Sequence, residues 1–273
     1  MKDVRLAIRF FWKWLPVNNL NIMLMGVAIV LLTVGGAVMF SREKFKKYGV
    51  IAGKVVLFLL LFYQVVYAIT QYYDEHSQIG RIMPWNPSSI SYYLMPIVAI
   101  FNVKPLKDTS YTLGLLAGLV MTFSTLVYSP MWIDFYQNSL TEYPFMQDMI
   151  ANARIATWNS ISMHGALLVG GVWLVASGDF KYEPKNCKFF LLGLAVLLCY
   201  GMVGHHFFVP DKNVFFIFKN ELPFEITHID FRLDYCILLA ALLWVIYYAL
   251  PYAVKNIPLR IKQKKLIESY YGK

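Results

Sequence analysis

The chain has 273 residues, of which 58% are hydrophobic and only 15% are charged. In a soluble domain about a quarter of the residues are charged. This composition therefore excludes a soluble protein and indicates an integral membrane protein. The net charge of +9 fits the positive-inside rule better than nucleic-acid binding, because no basic soluble segment is long enough to fold as a nucleic-acid module. We therefore expect membrane lipids, and no nucleic acid, as partners.

Residues 1–18 predict a basic amphipathic helix that lies at the membrane interface. Its four cations alternate with bulky apolar side chains and are Lys2, Arg5, Arg9 and Lys13. The next apolar run, Leu20–Phe40, is too long for the core of a cleaved signal peptide and predicts a retained first span. The predicted organisation is therefore this interfacial helix, a transmembrane bundle over 19–253 and a basic cytoplasmic tail over 254–273.

Six further apolar runs follow, each near the ~20 residues that span a ~30 Å hydrocarbon core. They are Gly49–Gln71, Met83–Phe101, Tyr111–Ser129, Ile155–Ser177, Phe189–Val209 and Leu233–Ala253. Long connections at 130–154 and 210–232 separate some of them. The pattern predicts an all-α polytopic bundle of about seven transmembrane helices in the cell membrane.

Lysine and arginine residues are concentrated on one side of these spans. Fifteen lie in the connections 41–48, 102–110 and 179–188 and in the C-terminal tail, against nine on the other side with the N-terminal helix included. The positive-inside rule therefore places the C terminus in the cytoplasm. Seven spans then place the N terminus outside, which the basic N-terminal helix opposes. An inside N terminus would mean that one span is miscounted, with Leu20–Phe40 the first to question.

The stretch Met83–Pro96, MPWNPSSISYYLMP, combines an apolar run with three prolines and several small polar residues. Proline removes a backbone donor and disrupts a helix interior, and in lipid the freed backbone groups need partners within the protein. We expect a broken helix that is buried in the bundle beside a polar cavity. Asn86, Ser88 and Ser89 supply the polar side chains there.

Two spans carry polar residues at spacings of three and four, which places them on one face of a helix. The second span has Gln64, Tyr67 and Gln71, and the fifth has Thr157, Ser160 and His164. Polar groups at membrane depth are costly, so we expect both faces to line the interior of the bundle. Gly114 and Gly118 in the fourth span permit close helix contact and predict packing.

All five histidines fall in the outer half of the predicted bundle or on its outer connections. One chemistry that fits is nucleophilic catalysis, in which His164 activates Ser88 or Ser89. The pairing is open at this point, because residue spacing does not test contact between separate spans.

Metal and haem binding are the competing uses of these histidines. A metal site would combine His205, His206 and His228 with Asp230, but adjacent histidines point to different sides of a helix. A haem between His164 and His205 would need ligands at matching depth, which the spacing does not give. The cysteines, at positions 187, 199 and 236, form no CxxC pair and indicate neither a disulfide framework nor a zinc site. We predict no metal and no cofactor.

Four segments together carry a family resemblance. They are Tyr63–Gln64, the broken segment Met83–Pro96, His164 within the sequence SMHGA, and Asn213–Phe218 followed by Pro223. In order and spacing they resemble the YQ pair, the LPLHLC-type segment, the mid-span histidine and the NYxFL segment of the bacterial YwaF-type integral membrane proteins. The likeness runs from about Tyr48 to Ala253 and extends to eukaryotic relatives, the transmembrane acyltransferases related to the androgen-induced lipid hydrolases.

The resemblance implies an acyl-transfer or lipid-ester-hydrolysing protein with a polar cavity open to the outer side. Ser88 stands at the position of the family's cysteine, so it would be the nucleophile and His164 its base. Asn86 replaces the family's histidine in the broken segment, which puts the chemistry in question. Asn86, Asn213 or backbone donors freed by Pro84 and Pro87 would stabilise an oxyanion.

Two non-enzymatic functions stay open. Broken helices beside a cavity are also typical of transporters, so the cavity would hold a small ligand. Alternatively, the chain is a structural subunit that docks a membrane-protein partner through its basic tail and N-terminal helix.

Overall fold

The chain is described here from a computed structural model. The structure describes residues 15–74, 83–84, 87–142, 149–208, 228, 231–249, 251–253, 256 and 263. Within these residues the secondary structure is helical and contains no strand. Its α-helices are α1 Asn19–Phe40, α2 Lys46–Asp74, α3 Pro87–Phe101, α4 Lys107–Val127, α5 Pro130–Glu142, α6 Met149–Ala176, α7 Cys187–Phe207 and α8 Phe231–Trp244, which a π-helical turn Val245–Ala249 extends.

Six of these segments are long and apolar enough to cross a membrane, and Ser88–Phe101 is a shorter apolar helix. This confirms the predicted polytopic helical bundle. Every predicted span contains a helix, and most boundaries differ by a few residues from the apolar runs. The first run, Leu20–Phe40, is the full helix α1.

Residues 1–14 of the predicted interfacial helix lie outside the described residues. Only the last turn of that helix is described. There residues 15–18 are not helical. Asn18 is instead the N-cap of α1, where its side chain accepts a hydrogen bond from the Asn21 backbone N–H at 2.9 Å. The basic tail also lies outside the described residues, apart from positions 256 and 263.

Helix α6 is the centre of the bundle. In its span 61% of the residues are buried, whereas no other span exceeds 39%. It packs against α1, α2, α4 and α5, and also touches α3. Gly118 of α4 is one reason for the close approach, because a Cβ atom there would lie 2.8 Å from the backbone carbonyl oxygen of His164.

The segment between α4 and α6 contains a helix where the sequence predicts only a connection. Helix α5 begins at Pro130, a favoured first residue of a helix. Its Trp132 is buried in a core cluster with Trp158 of α6 and Ile22 of α1. The Trp132 indole N–H donates to the Ser124 hydroxyl at 3.0 Å, so burial of one large ring anchors this amphipathic helix.

Helix α3 contains part of the predicted broken segment. Met83 and Pro84 are not helical, and the helix begins at Pro87. Pro96, by contrast, lies inside the helix. Because Pro96 has no N–H, the carbonyl of Tyr92, four residues earlier, loses its helical partner there.

The connections 41–45, 102–106 and 177–186 lie at the same end of the bundle, since each joins antiparallel spans. Contacts support this arrangement: the Lys107 ammonium lies 3.2 Å from an Asp179 carboxylate oxygen. Helix α6 stops at this end in a Schellman turn, with Gly178 at φ 85°. The Gly178 and Asp179 N–H groups donate to the carbonyls of Val175 and Leu174 at 3.1 and 3.0 Å.

Candidate functional site

His164 lies near the middle of α6 and is buried, with 4% of its surface exposed. Its Nδ1 atom is 2.7 Å from the backbone carbonyl oxygen of Ser160, one helical turn earlier. A carbonyl oxygen only accepts hydrogen bonds, so Nδ1 carries the ring hydrogen and donates it. The other ring nitrogen, Nε2, is then an acceptor and is chemically able to take a proton.

Tyr92 of α3 is the side chain that faces this histidine. Its hydroxyl oxygen lies 2.9 Å from Nδ1 and 3.0 Å from Nε2 of His164. Because Nδ1 already donates to Ser160, the Tyr92 hydroxyl donates to Nε2. The two rings meet edge to face with centroids 5.2 Å apart, and the Ser160 hydroxyl lies close to the Tyr92 hydroxyl.

Sequence reasoning missed Tyr92 as a functional residue. The available signal was its position four residues after Ser88 within the proline-rich segment, because that spacing places both residues on one helical face. Its carbonyl is also the one released by Pro96. Tyr92 is therefore held by a locally weakened turn of α3 while its hydroxyl contacts the central helix.

Ser88 and Ser89 are half-buried in the first turn of α3. Ser88 lies one turn before Tyr92, about 6 Å along the helix axis. Among the described residues, the hydrogen-bond partners of the His164 ring are Ser160 and Tyr92. Ser88 is thus on the same helical face as Tyr92, and Tyr92 is the residue of α3 that contacts His164. Asn86 and Asn213 lie outside the described residues.

A polar wall next to this pair comes from α2 and from α6. The Gln64 amide N–H donates to the Tyr93 hydroxyl at 3.2 Å, and Tyr67 stacks on Tyr63 with ring centroids 6.4 Å apart. The Tyr63 hydroxyl lies near the Asn159 side chain but without the geometry of a hydrogen bond. Gln64 and Tyr67 are half-buried, as is Ser160.

Several buried polar atoms of this wall have no hydrogen-bond partner among the described residues. They are the Tyr63 hydroxyl, Gln64 Oε1, both side-chain polar atoms of Asn159 and the Ser162 hydroxyl. Asn159 is only 2% exposed. A buried polar atom without a partner is costly, so this wall suits water or the polar part of a ligand.

The remaining histidines are at the end of α7 and beyond it. His205 is half-buried and His206 is exposed in the last turn of α7, where the His206 ring meets Phe207 edge to face. His228 is exposed, and Asp230 lies outside the described residues. Within the described ranges, no three His, Cys, Asp or Glu side chains are grouped closely enough to hold a metal ion.

The comparison with protein families fits this architecture. Residues 14–252 match the TMEM164 family. The chain belongs to that family. The match includes α1 to α8, so the Tyr92–His164 pair and the Gln64 wall lie within the matched region. Comparison with curated proteins and with solved structures gives no match.

Membership of the TMEM164 family and the six apolar helices identify a multi-pass membrane protein. The more specific likeness to YwaF-type proteins and acyltransferases stays a prediction, as does the orientation of the C terminus.

Proposed function

We propose that this TMEM164-family protein is a membrane-embedded enzyme that transfers or hydrolyses the acyl group of a lipid ester. The observation that supports the proposal best is a neutral histidine at membrane depth whose Nε2 acceptor is aimed at α3. Burial excludes bulk water around His164, and a general base in such a site competes with few other acceptors.

In the proposed mechanism Ser88 Oγ attacks the carbonyl carbon of the ester. Its proton passes to the Tyr92 hydroxyl oxygen while the Tyr92 hydroxyl proton passes to His164 Nε2. The electrons of the carbonyl π bond move to the carbonyl oxygen, which becomes an oxyanion. The hydrogen bond that Nδ1 donates to the Ser160 carbonyl stabilises the imidazolium ring. The relay would connect Ser88, one helical turn from Tyr92 in α3, with its base on α6.

Collapse of the tetrahedral intermediate breaks the ester C–O bond. The leaving alkoxide takes the proton back from His164 through Tyr92, which yields a lyso-lipid alcohol and an acyl group on Ser88. Water then attacks the acyl-serine in hydrolysis, or a second alcohol attacks it in transfer, and each returns the site to its first state. Asn86, Asn213 or backbone N–H groups near Pro84 and Pro87 would hold the oxyanion.

The first experiment uses purified protein in lipid nanodiscs that contain isotope-labelled phospholipids, with products followed by mass spectrometry. We expect release or exchange of labelled acyl chains by the wild type and its loss in Ser88→Ala and His164→Ala. Ser89→Ala is the matched control, because it removes the same hydroxyl from the neighbouring residue. Activity that survives in Ser88→Ala but not in Ser89→Ala would move the nucleophile to Ser89.

A second candidate function is non-enzymatic binding or transport of a small polar ligand. The unpartnered atoms of Tyr63, Gln64, Asn159 and Ser162 favour it, because a ligand would satisfy them. Wild-type inactivity toward every labelled lipid class, together with ligand-dependent stabilisation that Asn159→Leu abolishes, would replace the enzyme proposal by this one.

A further inference from the structure

A separate cavity of about 750 Å³ opens at the lysine-rich end of the bundle, between the connections 102–106 and 177–186. Ala176, where α6 ends, is twelve residues beyond His164, a rise of about 18 Å. The cavity is therefore distinct from the Tyr92–His164 site, and nothing in the acyl-transfer proposal uses it.

Lysines outnumber carboxylates among the charged residues that line the cavity. Four lysines line it, together with three carboxylates. The lysines are Lys104, Lys107, Lys181 and Lys185, and the carboxylates are Asp108, Asp179 and Glu183.

The carboxylates of the cavity already have partners. Asp179 lies 3.2 Å from the Lys107 ammonium and 4.0 Å from that of Lys54, and the Tyr111 hydroxyl donates to it at 3.4 Å. The buried Asp108 accepts from the Tyr247 hydroxyl at 3.0 Å. The two ammonium groups offset the charge of Asp179, whereas the Tyr247 hydroxyl satisfies one Asp108 oxygen without removing its charge.

Two lysines are left to face an incoming anion. Lys104 and Lys181 are exposed, and neither has a carboxylate within ion-pair distance among the described residues, whereas Lys185 pairs with Glu183 at 2.6 Å. Burial raises the pKa of the nearby Tyr182 to about 12, so its hydroxyl stays neutral and adds no negative charge.

The backbone adds to the positive potential. Helices α4 and α7, each of 21 residues, both begin at this cavity, with Lys107 and Cys187 as their first residues. The N-terminal end of a helix carries a partial positive charge and favours anions. The α4 end already has Asp108 in its first turn, so the α7 end and the two uncommitted lysines are the groups left in this cavity for a phosphate group with its substituents.

We propose that this cavity is a binding site for a phosphate group at the membrane surface. Its position at the ends of the spans suits the headgroup phosphate of an anionic lipid, whose acyl chains would run along the bundle, and a free phosphate has the same recognised chemistry. Lys104 and Lys181 would contact the phosphate oxygens, and the Lys107–Asp179 pair would hold the 177–186 connection in place.

The test measures ligand affinity of the detergent-solubilised full chain. The ligands are short-chain phosphatidic acid, the matching diacylglycerol without phosphate, and inorganic phosphate. We expect phosphatidic acid to bind far more tightly than diacylglycerol, and the double variant Lys104→Gln, Lys181→Gln to weaken it by about tenfold or more. Lys104→Arg with Lys181→Arg keeps both charges and should retain binding.

The matched control is Lys44→Gln with Lys47→Gln, which removes two exposed charges from the same end of the bundle but outside the cavity. If inorganic phosphate competes with phosphatidic acid, the phosphate group by itself is enough for binding. If phosphatidic acid binds and inorganic phosphate does not compete, the lipid is the ligand. Equal weakening by the two double variants would overturn the proposal, as would equal binding of diacylglycerol. The measurement needs no catalytic activity, so its result is separate from that of the acyl-transfer assay.

Discussion

At the scale of single residues, the two nitrogens of His164 have different partners. Nδ1 donates within its own helix to Ser160, and Nε2 accepts from Tyr92 of another helix. The first contact fixes the ring orientation, because it uses a carbonyl that cannot move without unwinding α6. The second leaves the basic nitrogen dependent on a single hydroxyl group from α3.

Tyr92→Phe tests that dependence. The change leaves a buried acceptor on His164 without its partner, so we expect the free energy of unfolding to fall by roughly 1–2 kcal/mol. If Tyr92 relays the proton, acyl transfer should fall by about a hundredfold. Thermal unfolding in detergent and the labelled-lipid assay measure the two effects.

Tyr93→Phe is the control for this prediction. It removes a hydroxyl from the adjacent residue of α3, one that contacts Gln64 rather than His164. Equal losses of activity in the two variants would mean that Tyr92 acts through general packing of α3 and not through the histidine.

At the scale of helices, the approach of α4 to α6 depends on Gly118. A Cβ atom there would meet two backbone atoms of α6, the His164 oxygen and the Leu168 nitrogen, each at 2.8 Å. At Gly114 a Cβ atom would meet the side chain of Met95 instead. Backbone within a helix cannot turn aside, whereas a methionine side chain is flexible.

We therefore expect Gly118→Ala to destabilise the protein by about 1–3 kcal/mol, in the range of overpacked cores. Gly114→Ala should cost less. The unfolding midpoints of the two alanine variants, measured in the same detergent, test this order of stability. A smaller loss for Gly118→Ala than for Gly114→Ala would contradict the assignment of the tight contact to the α6 backbone.

The end of α6 gives an independent prediction at the same scale. Gly178 has φ 85°, and a Cβ atom there would meet nothing within 4 Å. Gly178→Ala should therefore destabilise through backbone strain alone, by about 1–2 kcal/mol.

Gly35→Ala is the natural comparison, since it also enters open space but lies within helix α1. We expect it to be neutral or stabilising by up to about 1 kcal/mol. If both alanine variants unfold at the wild-type midpoint, the Schellman turn is not a constraint on this end of the bundle.

At the scale of the whole molecule, the arrangement of spans places the basic connections on one side. In a variant without the native cysteines, Lys44→Cys and Tyr128→Cys lie at opposite ends of the bundle. We expect a membrane-impermeant maleimide to label Tyr128→Cys in intact cells and Lys44→Cys only in inverted vesicles, because lysine-rich connections face the cytoplasm. Labelling of Lys44→Cys in intact cells would mean that the protein has the opposite orientation in the membrane.

The sequence by itself determined the class of the protein and the approximate bounds of its apolar helices. Long apolar runs leave few alternatives, because a chain in lipid must satisfy its backbone groups within each helix. The same reasoning predicted that His164, Ser160 and Gln64 belong to polar faces. These properties are local and depend on residues near one another in the chain.

The tertiary structure decided which of those faces meet. The Tyr92–His164 contact joins residues 72 positions apart, and residue spacing within one helix says nothing about the rotation of another. Helix α5 was missed because its stability comes from one buried tryptophan, Trp132, rather than from a long apolar run. The lysine cavity likewise needed the fold, since Lys104 and Lys181 come from separate connections that only antiparallel packing brings to one end.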